Sequence, residues 1–245
     1  MHRKTAVVLG ATGLIGQHLV QELLKNEFFS KVRILVRKPL FIDNPKADIQ
    51  VVDFNDEKDI AARIDIGDVI FCCIGTTRKK VKGNKTEYRK VDYDIPIITA
   101  RLGVQHGFNQ FLIVSAIGAN PLAANFYLQL KGCIEEDVTA LPFESIHIFR
   151  PSLLMGKREE FRLGERIGQV VISAFSFLLL GAWRKYRPIA AAQVAKAMVA
   201  AANNEVAGVH TYEYDEMQEL IWKCANSSNS ILAFIVEAAK SLQAK

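Results

Sequence analysis

The chain has 245 residues, 50% of them hydrophobic and 23% charged, and its 31 Lys and Arg against 26 Asp and Glu give a formal charge of +5 and a pI near 9.0. These figures exclude a disordered, collagen-like or disulfide-stapled chain and leave length for a full hydrophobic core, in one large domain or a main domain with an appendage. The charge admits an anionic ligand, an acidic surface or nucleic acid as partner and does not choose among them.

Met1 to Leu9 ends a short apolar run at Gly10, Gly13 and Gly16. The run is too short for a signal peptide, so Thr5 to Leu9 reads as a first strand. Strand-length apolar runs recur at Val32 to Val36, Ile49 to Val52, Val69 to Ile74, Phe111 to Ser115 and Ile146 to Phe149. Their continuous Val, Ile and Phe content suits strands buried on both faces. Helical spacing fills the gaps at Leu14 to Leu24, Asp56 to Arg63, Val91 to His106 and Phe126 to Thr139, with Val91, Ile95, Ile98 and Leu102 at steps of three and four. This alternation predicts an α/β fold, a Rossmann-type doubly wound parallel sheet in strand order 3-2-1-4-5-6, over residues 1–150.

After Pro151 the alternation breaks. A charge-rich stretch from Gly156 to Glu165, an apolar run, an Ala-rich helix at Ala190 to Asn203 and a strand at Val209 to Tyr214 suggest a small C-terminal substrate lobe over 151–225, followed by a final helix over 226–245. Cys72, Cys73, Cys133 and Cys224 show no paired spacing of the zinc or secreted type, so reduced thiols, a cytoplasmic setting and no metal site are expected.

Gly10-Ala11-Thr12-Gly13-Leu14-Ile15-Gly16 follows the first strand and opens a helix. Such a turn lets a pyrophosphate approach bare backbone, whose amides and helix dipole favour an anion, so Gly10, Thr12, Gly13, Leu14 and Ile15 are expected to hold a dinucleotide. Glycines also serve plain close packing in many strand-to-helix turns. The position closing the second strand carries Arg37 and Lys38 and no acid. An acid there would hold a ribose 2′-hydroxyl, whereas Arg suits a 2′-phosphate, which favours NADP(H) over NAD. Asp53, followed by Phe54, is placed to meet the adenine, or is a plain loop acid.

Tyr127 and Lys131 lie four apart on one predicted helix, and Ser115 ends the fifth strand, so all three converge at the carboxyl end of the sheet. A phenol titrates near ~10, and a neighbouring ammonium favours its phenolate. Lys131 would supply that ammonium, Ser115 would hold the substrate's carbonyl oxygen, and Tyr127 would give or take the proton. The competing reading has Tyr127 packed on Phe126 and Lys131 solvated.

GATGLIG at 10–16, Ser115 and Tyr127-Leu128-Gln129-Leu130-Lys131 resemble the short-chain dehydrogenase/reductase superfamily. VVDF at 51–54, FCCIGTTR at 71–78, NFYLQLKG at 125–132 and FRPSLLMG at 149–156 resemble its atypical branch, the one containing the HIV Tat-interacting oxidoreductase. The resemblance, from about Thr5 to Tyr214, implies an NADPH-binding Rossmann domain with Ile74, Gly75 and Thr76 beside the nicotinamide ribose and Arg150, Pro151, Ser152 and Leu153 near the nicotinamide. Some members of that branch are discussed as dinucleotide-sensing regulators. Asp92 stands where many members of the superfamily carry a relay Asn, which puts the relay in doubt but leaves cofactor binding untouched.

Two features stand apart. Ile167 to Trp183 is seventeen residues without a charge, flanked by Arg166 and by Arg184, Lys185 and Arg187. A buried lid helix, peripheral contact with a membrane surface and a membrane span are its three readings. Arg78 to Lys90 holds seven bases and one acid, a net +6 that leaves about −1 for the rest of the chain. It reads as a solvated loop or as a contact for a protein or anionic partner at the cofactor edge; no nucleic-acid reader accompanies it. The expected function is an NADP-dependent oxidoreductase acting on a small-molecule carbonyl or alcohol. An NADPH-binding regulatory or scaffold protein and a nucleotide-sugar epimerase are the alternatives, and a homo-oligomer fits any of them.

Overall fold

Period-two burial marks the strands of this computed structural model, which describes residues 3–155 and 181–226. In β1 (Lys4–Leu9), Ala6 and Val8 join the core on one face while Val7 and Leu9 join the core on the other. The other central strands, β4 (Val69–Cys72) and β5 (Gln110–Val114), are likewise apolar on both faces, as a covered parallel sheet requires. With β2 (Phe29–Val36), β3 (Ala47–Val51), β6 (Ser145–Phe149) and β9 (Gly208–Tyr212), they form a seven-stranded sheet in the order β3-β2-β1-β4-β5-β6-β9. Every neighbouring pair in it is parallel.

The first six strands keep the expected order, and the seventh departs from it. Gly208–Tyr212 pairs with β6 from Ser145↔Gly208 to Phe149↔Tyr212, although its sequence suggested a strand of the overlying lobe. The Ala-rich helix α6 (Ala191–Asn204) also belongs to the main layers. Val194, Met198 and Ala201 share the core of α1 (Leu14–Lys25), whose Leu19 and Leu23 are fully buried. Burying each such large side chain is worth about 1.5–3 kcal/mol, and α6 has nearly no polar face on which to sit elsewhere. Periodicity identified both elements and gave no indication of which surface they cover. Among the described residues a two-stranded pair, β7 (Leu154–Met155) with β8 (Ile189–Ala190), stays outside the main sheet, next to a 3-10 turn over Gly181–Tyr186. Most of the apolar run, 167–180, and the tail beyond 226 lie outside the described residues. Among the described residues no helix is long and apolar enough to cross a membrane.

The opposite face carries α2 (Glu57–Ile64), capped by the Asp56 carboxylate on the Lys58 N–H at 2.9 Å, together with α4 (Ile95–Gln105) and α5 (Phe126–Thr139). The single helix expected over Val91 to His106 is broken at its start. Lys85–Arg89 forms a short helix, α3, capped by Asn84, and a π turn over Lys90–Asp94 joins it to α4. Pro96 has no N–H for the carbonyl of Asp92, and the Ile95 N–H reaches five residues back to Lys90. The segment read as a solvated basic loop is therefore partly helical, and the π turn buries Asp92.

Candidate active site

In a parallel sheet all strands end on one edge, so the residues after β1, β2, β3, β4, β5 and β6 form a single rim. At its centre Gly10 has φ +79°, and a Cβ there would lie 2.5 Å from the carbonyl carbon of Cys73. A Cβ on Gly16 would lie 2.1 Å from the Gly10 oxygen, so α1 seats on the end of β1 only because both residues are glycine. The Gly13 N–H bonds the Gly10 carbonyl at 2.9 Å, and Gly13 caps α1 without any side-chain hydrogen bond. The first amides of α1 thus have neither a side-chain cap nor an acid in the first turn, an arrangement open to an anion. Thr12 is exposed there, Leu14 half-buried and Ile15 buried.

Arg37 and Lys38 follow β2, fully on the surface. Asp53 is exposed too, and its Oδ1 accepts from the Asn55 N–H at 2.9 Å and side-chain amide at 2.6 Å, closing a local turn. Phe54 is placed differently from its neighbour, buried in the core of the α2 face. After β4, burial pushes the Cys72 thiol up to about 11 and the Cys73 thiol well above its ordinary value, so neither is a thiolate at neutral pH. Ile74 is half-buried, and Gly75 lies over Asp92, whose Oδ1 is 3.5 Å from where a Cβ would stand. The Thr76 N–H donates to Asp92 Oδ2 at 2.7 Å.

Helix α5 begins at an Asn125 cap that accepts from the Tyr127 and Leu128 amides at 2.9 and 3.2 Å. Gly132 lets the loop after β5 cross the helix, since a Cβ there would lie 2.2 Å from the carbonyl carbon of Asn120. Tyr127, Lys131 and Glu135 then fall on one helical face at steps of four. Tyr127 is 36% exposed, whereas Lys131 is only 4% exposed, so the solvated-lysine reading does not hold. The Lys131 ammonium donates to the Val114 carbonyl at 3.3 Å and faces Asp92 Oδ1 at 3.5 Å. Burial alone would lower the Lys131 value, but the Asp92 carboxylate, the Tyr127 oxygen and Cys72 raise it above the usual lysine range. Burial in turn raises Asp92 against the pull of Lys131.

Ser115 departs from its expected role. It is 3% exposed, and its hydroxyl donates to Glu135 Oε1 instead of standing free for a carbonyl oxygen. Arg150 grips the same carboxylate through Nε at 3.0 Å and through Nη2, a pairing that raises Arg150. Beyond it Pro151 is buried, the Ser152 hydroxyl donates to the Arg187 carbonyl, and the Leu153 carbonyl accepts from the Ile189 N–H at 3.0 Å. Sequence reading passed over Glu135, though its place four residues past Lys131 marks the same face. It also left Tyr88 inside a charge run. Tyr88 donates its hydroxyl to the Thr76 carbonyl at 3.2 Å and meets Phe126 and Tyr127 edge-on, with centroids at 5.9 and 6.4 Å.

A family described as NAD(P)H-binding matches residues 10–138. The protein HTATIP2 of Rattus norvegicus is 35% identical over 168 residues, 67% of this chain and 69% of that protein. The mitochondrial protein FMP52 of Eremothecium gossypii is 38% identical over 160 residues, 65% of this chain and 70% of that one. Among solved structures, a UDP-N-acetylglucosamine 4-epimerase from Methanobrevibacter ruminantium superimposes with a TM-score of 0.65 at 17% identity, covering 87% of this chain and 77% of that one.

Proposed function

The chain belongs to the NAD(P)H-binding family, and from that premise we propose that it is an NADP(H)-dependent oxidoreductase of the short-chain type acting on a small carbonyl or alcohol. The observation that carries this reading is the buried Lys131 ammonium, held between the Val114 carbonyl and Asp92 one helical turn below the partly exposed Tyr127. The glycine turn fits the cofactor, because Gly10 and Gly16 let α1 seat directly on the end of β1 with its first amides uncapped and free of any acid. Gly10, Thr12, Gly13, Leu14 and Ile15 would hold the pyrophosphate, Arg37 and Lys38 a 2′-phosphate, and Asp53 the adenine side. Ile74, Gly75 and Thr76 would line the nicotinamide ribose, and the backbone from Arg150 to Leu153 the nicotinamide end. When bound, the nicotinamide supplies or accepts the hydride.

Tyr127 would give or take the proton, with the buried Lys131 ammonium one helical turn away. A cytoplasmic location is part of this reading and rests on the reduced thiols of Cys72, Cys73 and Cys133. A second reading, a dinucleotide-binding regulator with little turnover, is favoured by one observation: the single Ser115 proton is already committed to Glu135. Titration with NADPH and NADH followed by a carbonyl panel tests both. Tighter NADPH binding and turnover reduced at least about a hundredfold in Tyr127→Phe support the enzyme. Tight NADPH binding with no turnover supports the regulator.

A further inference from the structure

Five of the seven bases of residues 78–90 fall into two groups. Arg89 pairs with Asp94 at 3.3 Å and lies over the Tyr93 ring, and Lys85 lies over Phe126, so these two are engaged within their own neighbourhood. Arg78, Lys79 and Lys82 are exposed and have no acidic partner among the described residues. They sit on a closed turn, not a loose loop. Gly83 N–H bonds the Arg78 carbonyl at 2.9 Å, Val81 N–H the Thr77 carbonyl at 3.2 Å, and the Thr77 hydroxyl accepts from Lys80 N–H at 3.2 Å. Lys82 itself holds φ +49°, a left-handed conformation that costs a lysine free energy and is kept only where its surroundings fix it.

What fixes the far end of the turn is Tyr88, with its hydroxyl on Thr76 and its ring against Tyr127. The one aromatic of the run is therefore turned inward and offers no stacking platform to a nucleic acid. The same contacts tie the free charges to the wall bearing Tyr127, two to six residues beyond Thr76. A dinucleotide does not need them. Its pyrophosphate belongs at the end of β1 and a 2′-phosphate at the end of β2, whereas this turn follows β4, on the other side of β1.

We propose that the turn carrying Arg78, Lys79 and Lys82 recognises an anionic group, phosphate or carboxylate, on the substrate that Tyr127 acts upon. This rests on the oxidoreductase reading above and adds the substrate class to it: a carbonyl or alcohol compound bearing an acidic group, with the turn and Tyr88 fixing the distance between that group and the reacting oxygen.

The test uses the full chain saturated with NADP+ and two pairs of aldehydes that differ in charge: 4-formylphenyl phosphate with 4-methoxybenzaldehyde, and succinic semialdehyde with butanal. Calorimetry should show the charged member of at least one pair binding roughly tenfold tighter, as three exposed bases acting together can provide. The preference should fall with added salt and drop below about twofold in Arg78→Gln/Lys79→Gln/Lys82→Gln, while the NADP+ affinity of that variant stays within about twofold of wild type. Equal binding within both pairs, or a preference that survives in the triple variant, overturns the proposal. So does polyglutamate binding that depends on the three bases and is not displaced by 4-formylphenyl phosphate, because the charges would then serve a macromolecule. If NADP+ fails to bind at all, the cofactor reading falls instead, and the aldehyde pairs still decide the charge question on the same protein.

Discussion

The two halves of the rim are built from opposite materials. Around the end of β1 the site is made of missing side chains, with Gly10 and Gly16 bringing backbone within contact of backbone and leaving the α1 amides open. Around β5, β6 and α5 it is made of buried polar groups, Asp92 with Lys131 and Glu135 with Ser115 and Arg150, and below the rim His147 in mid-β6 meets Tyr212 of β9. The first half fails by steric overlap and is blind to pH, while the second fails by leaving charges unpaired and carries groups that titrate.

The largest expected effect lies in the first half. Gly16→Ala places a methyl 2.1 Å from the Gly10 oxygen, a backbone atom with nowhere to go. It should cost roughly 3 kcal/mol or more in urea unfolding and abolish dinucleotide binding; a variant as stable as wild type would show that the close approach is not what shapes the turn. Next comes Lys131→Met, which strands a buried carboxylate and should cost about 3 kcal/mol. Adding Asp92→Asn should recover part of that loss, and simple additivity in the double variant would break the claim that the two act as a pair. The raised Lys131 value has a definite sign. Its contribution is complete below the ordinary lysine range and is lost only as pH climbs past the raised folded value, so Lys131 should leave stability flat between pH 6 and 9.

The glycine half was legible in the sequence because it is local. A GxxGxxG run following a buried strand contains its own geometry within seven residues. The polar half was legible by pattern only at Ser115, Tyr127 and Lys131, while Asp92 and Arg150 entered through resemblance. Its partners come from elsewhere: Asp92 lies 39 residues before Lys131, and Arg150 lies 15 after Glu135. No period links them, and the turning of Ser115 toward Glu135 depends on packing between β5, α5 and β6. The same limit explains β9, whose residues announce a strand but not the edge it joins. Tyr88 was hidden for a different reason, because a basic run predicts solvent exposure for everything inside it.

His147 sharpens the contrast in pH. It is fully buried, its Nδ1 lies 3.0 Å from the Tyr212 hydroxyl, and burial, helped by His210, lowers it to about 4. The folded state therefore keeps it neutral while the unfolded chain takes up a proton below about 6.5. Its contribution is complete above that value and is lost as pH falls toward 4, by about 3 kcal/mol at most. Urea midpoints measured across that window should slope downward in wild type and less so in His147→Phe, whose ring can keep the stack on His210 and Tyr212. An equal slope in both proteins would assign the acid sensitivity to other groups.

The smallest effect returns to the first half, where one exposed charge adds to a cradle made of backbone. Arg37 has no structural task that its removal would expose, since it stands on the surface after β2 and no acid shares that position. Arg37→Gln should therefore leave the unfolding midpoint unchanged and weaken NADPH binding by roughly tenfold, with NADH binding moved by less than about twofold. The ratio of the two affinities, more than either alone, separates a 2′-phosphate contact from a general field of positive charge, because the pyrophosphate is common to both dinucleotides. A parallel loss of both would mean that Arg37 acts on the shared anion. The preference for NADPH would then have to come from Lys38, which Lys38→Gln measured by the same ratio would reveal.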